Sequence, residues 1–301
     1  MIPHPIPYQG SKRRLASVIL QLAPKKVNSL FEPFAGSAAI TLAASARKMA
    51  NRYVIGDSLE ALMSIWKAIL EEPEHLADDY ERIWKAQKKD PPTHYLMVRD
   101  EFNRSHDNPA QLLYLLARCV KNAVRFNAYG EFNQSADHRR TGMNPAKMRT
   151  QILVAHRLLA GRTRTAAADY ASLLDEATER DAVYMDPPYQ GVTGRDPRYF
   201  QQLDFDKLVS NLDRLNRRSV PYLLSFDGVC GQRQYGQDLP KELNLTRIWV
   251  HTGRSSQATL NGLNEDTTES LYLSPNLGDG QEFTVSVATP HPNVEQLSLL
   301  A

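Results

Sequence analysis

The tetrapeptide Asp186-Pro187-Pro188-Tyr189 follows directly on an apolar run, Ala182 to Met185. These residue types, at the end of a buried strand, suit methylation of an exocyclic amine. Such an amine is conjugated with its ring and is a poor nucleophile. It reacts when hydrogen-bond acceptors hold its two protons and turn a lone pair toward a methyl donor. The Asp186 carboxylate can accept from one N–H. The Pro187 carbonyl can accept from the other, because the Pro-Pro backbone fixes its direction and brings no competing N–H donor. Tyr189 then offers a face on which a planar base stacks. The plainer alternative is a sharp Pro-Pro turn flanked by Asp and Tyr.

A second constellation runs from Phe31 through Glu32, Pro33, Phe34, Ala35, Gly36 and Ser37 to Ala38 and Ala39. Gly36 permits close backbone approach to a ligand, and a helix opening there would present N–H donors to a carboxylate or phosphate. The run is not the G-x-G-x-x-G of nicotinamide enzymes, and no pyrophosphate cradle is evident, which argues against an oxidoreductase. Asp57 lies at the end of the next strand, from which an acid grips ribose hydroxyls in doubly wound folds; as a simpler alternative it caps the following helix. Together these point to a ligand with one nucleoside. The third piece, Pro7 to Lys12, contains Gly-Ser-Lys but has Pro5 where a phosphate loop needs glycine. Its bland reading is Ser11 capping a helix with Lys12 on the surface.

These residues require a frame of strands and helices. Periodicity predicts a helix over 12–22, a strand over 27–34, a helix over 38–50 and a strand over 52–56. Ser58 then opens a helix with Leu59, Leu62, Ile65, Trp66 and Ile69 on one face. Strand, helix, strand, helix implies a parallel α/β sheet. From about 71 to 160 strand signals vanish, and helices are expected at 74–87, 95–104 and 109–121. Strand signals return at 163–168, 182–185, 221–226, 245–251, 270–273 and 283–288. The expected division is a sheet domain of residues 1–70 plus 161–301, interrupted by a mainly helical insertion of 71–160.

The chain has 301 residues, 42% of them hydrophobic, and 36 Lys and Arg against 34 Asp and Glu. A net charge of +2 argues against a histone-like or polybasic binder. No apolar run reaches the roughly 18 to 20 residues of a membrane span. The two cysteines, Cys119 and Cys230, form neither a disulfide framework nor a metal cluster, so a reduced cytoplasmic setting and no metal are expected. Lys12-Arg13-Arg14 and the apolar stretch after it imitate a secretion signal, but no small-x-small cleavage site follows. The local charge is less even: between Arg118 and Thr165 ten basic residues stand against two acids. This stretch holds the loop Arg125 to Gln134, whose aromatics, amides and guanidinium are types that stack on bases and hold phosphates. A solvated face is the alternative for the cluster.

Taken together, the chain resembles the Dam-type family of N6-adenine DNA methyltransferases over most of its length. The resemblance is carried by Tyr8-Gln9-Gly10-Ser11-Lys12, by Glu32 to Ser37, by Asp57 and by Asp186 to Tyr189, with the helical region between donor and catalytic motifs. Asn122 to Asn133, Asp169-Tyr170, Arg254-Ser255-Ser256, Asn261-Gly262 and Glu269-Ser270-Leu271 resemble further family motifs. Ala38 departs from it, since many members carry a second glycine there, and its methyl would narrow the approach to the donor.

The family implies a Rossmann-like methyltransferase fold with an inserted target-recognition domain, and S-adenosylmethionine as donor. Its adenosine is expected at Asp57, Asp169 and Phe34, and its methionine end at Tyr8, Lys12 and the loop of Glu32, Pro33, Gly36 and Ser37, with Asp186 at the methyl. The catalytic group is expected to be Asp186, Pro187, Pro188 and Tyr189, acting on an adenine flipped out of double-stranded DNA. DNA contacts are expected from Arg118, Lys121, Asn122, Arg125, Asn127, Tyr129, Asn133, Arg139, Arg140 and Arg254. The enzyme would be solitary, or a modification methylase sharing its site with a cognate restriction endonuclease, with no membrane partner. The alternatives are an RNA adenine methyltransferase and a non-catalytic DNA-binding protein of this fold. Neither cysteine follows a proline, which excludes cytosine C5 chemistry.

Overall fold

A computed structural model describes residues 2–188, 203–230, 233–235, 237–254, 266–278, 280 and 283–286. After a short 3-10 turn at Lys12–Arg14, the elements are α1 (Ala16–Leu22), β1 (Val27–Glu32), α2 (Ala39–Ala46), β2 (Ala50–Asp57), α3 (Glu60–Glu71), α4 (Pro73–Ala86), α5 (Pro91–Ser105), α6 (Pro109–Arg118), α7 (Pro145–Leu159), β3 (Thr163–Ala167), α8 (Tyr170–Glu176), β4 (Ala182–Met185), α9 (Phe205–Arg217), β5 (Tyr222–Cys230), β6 (Arg233–Tyr235), β7 (Thr246–Arg254), β8 (Asp266–Leu273) and β9 (Phe283–Ser286). The chain is α/β, as the alternation implies.

The strands form one sheet in the order β3-β2-β1-β4-β5-β8-β7-β9, with β6 on β5. From β3 to β5 every pairing is parallel. β8 joins β5 and β7 antiparallel, and β9 returns parallel to β7. β4 explains its own central place: all four residues of its apolar run are buried, as a parallel strand covered on both faces must be. From β1 the chain turns one way to β2, and β4 lies on the other side. Ligands in open α/β sheets bind at such a reversal, outside the carboxyl ends of the strands. Glu32 and Asp186 stand at the ends of these two neighbouring strands.

In α3, Leu62, Ile65, Trp66 and Ile69 recur at helical spacing and are fully buried. They share a core with α4 to α7 through Leu76, Tyr80, Tyr95, Leu113, Ile152 and Leu159. Four helices thus occupy the stretch between α3 and β3. The sequence reading has no helix after 121 in this stretch, but α7 fills 145–159, with Asn144 capping it and Pro145 in its first turn. α7 packs on α2 and α3 as well as on α4, so the end of the insertion lies against the sheet's own helices.

Candidate active site

A cavity of about 970 Å³ opens at the strand ends, bounded by the amino-terminal motif, the Glu32 to Ser37 loop, Asp57, Asp169-Tyr170, Asp186 to Pro188, and Val124, Phe126, Tyr129 and Gly130 of the insertion. Tyr189 lies outside the described residues, as do Ser255, Ser256, Asn261 and Gly262.

The Gly36 loop is held from several sides. Gly36 has φ +49°, and a Cβ there would meet the Tyr8 ring at 3.0 Å, so glycine serves both the left-handed turn and the close approach of Tyr8. Asp57 Oδ2 accepts from Gly36 N–H at 3.1 Å, and Oδ1 accepts from Leu59 N–H at 3.1 Å. Both readings of Asp57 therefore have a basis: it braces the loop before α3, and a carboxylate's four acceptor sites leave room for a hydroxyl. Burial pushes its carboxyl above the usual range, against the hydrogen bonds it accepts. Trp66, which sequence reading assigned only to the core, donates Nε1–H to the Gly36 carbonyl at 3.0 Å.

The start of α2 differs from expectation. Its N–H groups were expected to face a ligand, but Glu32 accepts from Thr41 N–H at 2.8 Å and Ile40 N–H at 3.4 Å, so the chain supplies its own carboxylate there. Burial raises the Glu32 pKa to about 7, opposed by the hydrogen bonds from Thr41. Ala38 also departs from expectation. It adopts φ +45°, is fully buried, and packs into the core without lining the cavity, so its methyl does not face the crevice.

The bland reading of Ser11 and Lys12 is corrected too. Ser11 makes no side-chain cap; its hydroxyl accepts from Ser37 Oγ at 2.8 Å, tying the amino-terminal motif to the donor loop. Lys12 is 7% exposed, and its Nζ lies 2.9 Å from Asp186 Oδ1 and 3.2 Å from Glu269 Oε2. Burial raises the Asp186 pKa to about 6, and Lys12 acts against that rise. The proposed donor residue thus meets the proposed catalytic one.

At the far end of the cavity the Phe34 and Tyr170 rings stand 4.8 Å apart. Asp169 caps α8 through Ala171 N–H and pairs with Lys207 at 3.0 Å, while the Lys207 ammonium lies 5.4 Å over the Tyr170 ring. Sequence reading missed Lys207. It lies in the first turn of α9, and no motif in the sequence marks it.

The insertion sends its loop to the cavity mouth, where Tyr129 is 90% exposed. Lys121 and Asn133 are also exposed, and Arg125 is half-buried with no partner for its Nε among the described residues. Asn127 shapes the loop, accepting from Tyr129 N–H and Glu131 N–H. Asn122 binds the Leu116 carbonyl with its side chain, and its own carbonyl accepts from Gln9 N–H. Arg139 and Arg140 reach the surface beside Asp137. Arg118, expected on DNA, is instead 2% exposed and donates to the carbonyls of Asp137 and Arg140; it builds the loop from inside. Arg254 ends β7, and its side chain is not described.

A switch-point crevice with an aromatic pair, a strand-end acid and a second acid beside a lysine marks the candidate site of this α/β protein. Residues 8–255 match the model of the D12 class N6 adenine-specific DNA methyltransferases, and the chain belongs to that family. It is 26% identical to a DNA N-6-adenine-methyltransferase of Escherichia phage P1, over 77% of this chain and 30% of that one. It is 24% identical to the type II methyltransferase M.FokI of Planomicrobium okeanokoites, over 91% of this chain and 43% of that one. With a DNA adenine methylase of Haemophilus influenzae the identity is 25%, over 80% of this chain and 90% of that one. The chain therefore spans less than half the length of the phage and M.FokI relatives, and most of the Haemophilus one.

Proposed function

We propose that this protein transfers a methyl group from S-adenosylmethionine to the N6 amine of an adenine flipped out of duplex DNA. The observation that carries the reading is Asp186 at the end of β4, in one cavity with Gly36, Asp57 and the Phe34–Tyr170 pair. The donor set fits: the packed Phe34–Tyr170 pair offers an aromatic face to a purine, Asp57 has acceptor capacity for ribose, and the Gly36 loop is not the G-x-G-x-x-G of a pyrophosphate cradle. When bound, S-adenosylmethionine supplies a methyl group on a positively charged sulfur.

The chain's own groups do the rest. Phe34 and Tyr170 hold the purine, Asp57 the ribose, and Tyr8 with the Gly36 loop the amino-acid end. Asp186 and the Pro187 carbonyl accept from the target amine, with Tyr189 as stacking face. Extruding the adenine costs a few kcal/mol, which stacking and these hydrogen bonds offset. Residues 1–70 and 161–301 are proposed as the donor-binding unit and 71–160 as the recognition unit, with Lys121, Arg125, Tyr129, Asn133, Arg139 and Arg140 facing DNA. A cytoplasmic setting completes the proposal, with the enzyme either solitary or sharing its site with a cognate restriction endonuclease without required contact. Among the described residues no helix is long and apolar enough to cross a membrane, and no cluster suited to a metal ion is present.

The test is incubation with S-adenosylmethionine carrying a tritiated methyl and mixed-sequence duplex DNA. Label is expected on adenine N6, and absence of label on every DNA offered sinks the reading. Preferential labelling of structured RNA in competition favours the RNA enzyme instead. Arg125→Ala is expected to weaken DNA binding with a smaller salt slope if it holds a phosphate, or to relax sequence choice if it reads a base.

A further inference from the structure

The lysine beside Asp186 is shared. Lys12 Nζ lies between Asp186 on β4 and Glu269 on β8, at 2.9 and 3.2 Å, and the two acids keep 20% and 24% exposure. β8 belongs to the antiparallel extension of the sheet, and Glu269 stands opposite Gly228 of β5 and Val250 of β7. Glu269 does not line the cavity. We propose that Glu269 is a positioning residue for methyl transfer, which holds the ammonium of Lys12 between the two carboxylates, so that Asp186 keeps lone pairs for the target amine and the three groups stay net negative.

This rests on the methyl-transfer reading. In the transfer, the C–S bond breaks and leaves its electron pair on sulfur as a neutral thioether, while the N6 lone pair forms the N–C bond. The positive charge thus moves from sulfur to N6 until an N6 proton leaves to water. A lone Lys12–Asp186 pair is neutral and gives that charge little stabilisation. Adding Glu269 makes the three groups net negative, and preorganised charge of this sign favours a cation forming beside it. Glu269 also draws Lys12 aside, leaving Asp186 lone pairs for the amine. The remaining ionisable groups acting on Asp186 or sensing it are Glu32 at the end of β1 and Tyr184 on β4. Neither holds Lys12 by an ion pair, so the opposing pull on the ammonium falls to Glu269 among the described acids.

Two variants of the whole chain, Glu269→Gln and Lys12→Met, and their combination test this. Two readouts are taken: steady-state methyl transfer against pH, and titration of the Asp186 carboxyl by carbon NMR, assigned with Asp186→Asn. Glu269→Gln is expected to lower kcat about tenfold, by analogy with the lower end of the loss seen when an outer partner that orients a metal ligand is removed, with donor Kd unchanged. It should also move the Asp186 titration to lower pH, while Lys12→Met moves it to higher pH. The double variant should fall between them, and Glu269→Asp should recover part of the rate. Wild-type kcat in Glu269→Gln overturns the proposal. So does a loss of rate with an unmoved Asp186 titration and a weakened donor Kd, which marks a merely structural role. If the wild type methylates no DNA, the functional reading fails on its own, and the NMR titration still decides whether the three groups are coupled.

Discussion

A carboxylate that must accept hydrogen bonds from an amine has to be ionised, and the fold makes that costly for Asp186. Burial raises its pKa to about 6 and Lys12 pulls it back. The ionised fraction grows as pH rises through that value, so kcat is expected to climb from about pH 5 to about pH 7 and then level off; a rate independent of pH below 6 contradicts the assignment. Ala38 shows two local terms in opposition. An alanine at φ +45° carries a left-handed penalty of roughly 1 to 2 kcal/mol, while its buried methyl contributes about 0.8 kcal/mol. Ala38→Gly is therefore expected to stabilise the protein by no more than about 1 kcal/mol in denaturant titration. Because the methyl points into the core, donor affinity in the same variant should stay at the wild-type value, measured by calorimetry.

Elements matter here through what they hold at their ends. α3 packs its apolar face into the core and, from the same face, sends the Trp66 N–H to the Gly36 carbonyl. Trp66→Phe keeps most of that packing but leaves a buried carbonyl without a donor, a loss of about 1 to 3 kcal/mol. The expected result is a lower unfolding midpoint together with a several-fold weaker donor Kd; a loss of stability with unchanged donor binding would separate the helix from the loop. The strand ends carrying Glu32, Asp57 and Asp186 were legible because apolar runs followed by polar, glycine- or proline-bearing turns report both the strand and its end. The hydrogen-bond partners were not legible, since Glu32 meets α2 and Lys12 meets Asp186 only after the sheet is assembled. α7 is an instructive omission: Met148, Ile152, Ala155 and Leu159 recur at helical spacing behind Asn144-Pro145, but the basic residues between them mask the stripe.

Across the whole molecule, the excess of basic residues between 118 and 165 is a property of the chain that the fold redistributes. Arg149 pairs with Glu74, Asp78 and Glu81 of α4, Arg164 with Glu176 of α8, and Arg118 is buried. Acids distant in sequence thus neutralise part of the basic stretch. The cations that remain on the surface without an ion pair among the described residues include Lys121, beside the loop at the cavity mouth, and Lys147 on α7. Linear charge counting could not separate these groups, because the partners come from the other side of the insertion. Counterion release measures the difference, since each phosphate contact removed lowers the salt slope of DNA binding by about 1. Lys121→Ala is expected to weaken binding to duplex DNA at low salt and to reduce that slope by about 1, uniformly across sequences. Arg149→Ala should leave the slope unchanged and lower stability modestly, by the loss of partly exposed ion pairs. Equal slopes for the two variants would place the DNA on a different face of the insertion, whereas a reduced slope for Lys121→Ala alone would locate the duplex over the mouth of the cavity that holds Asp186.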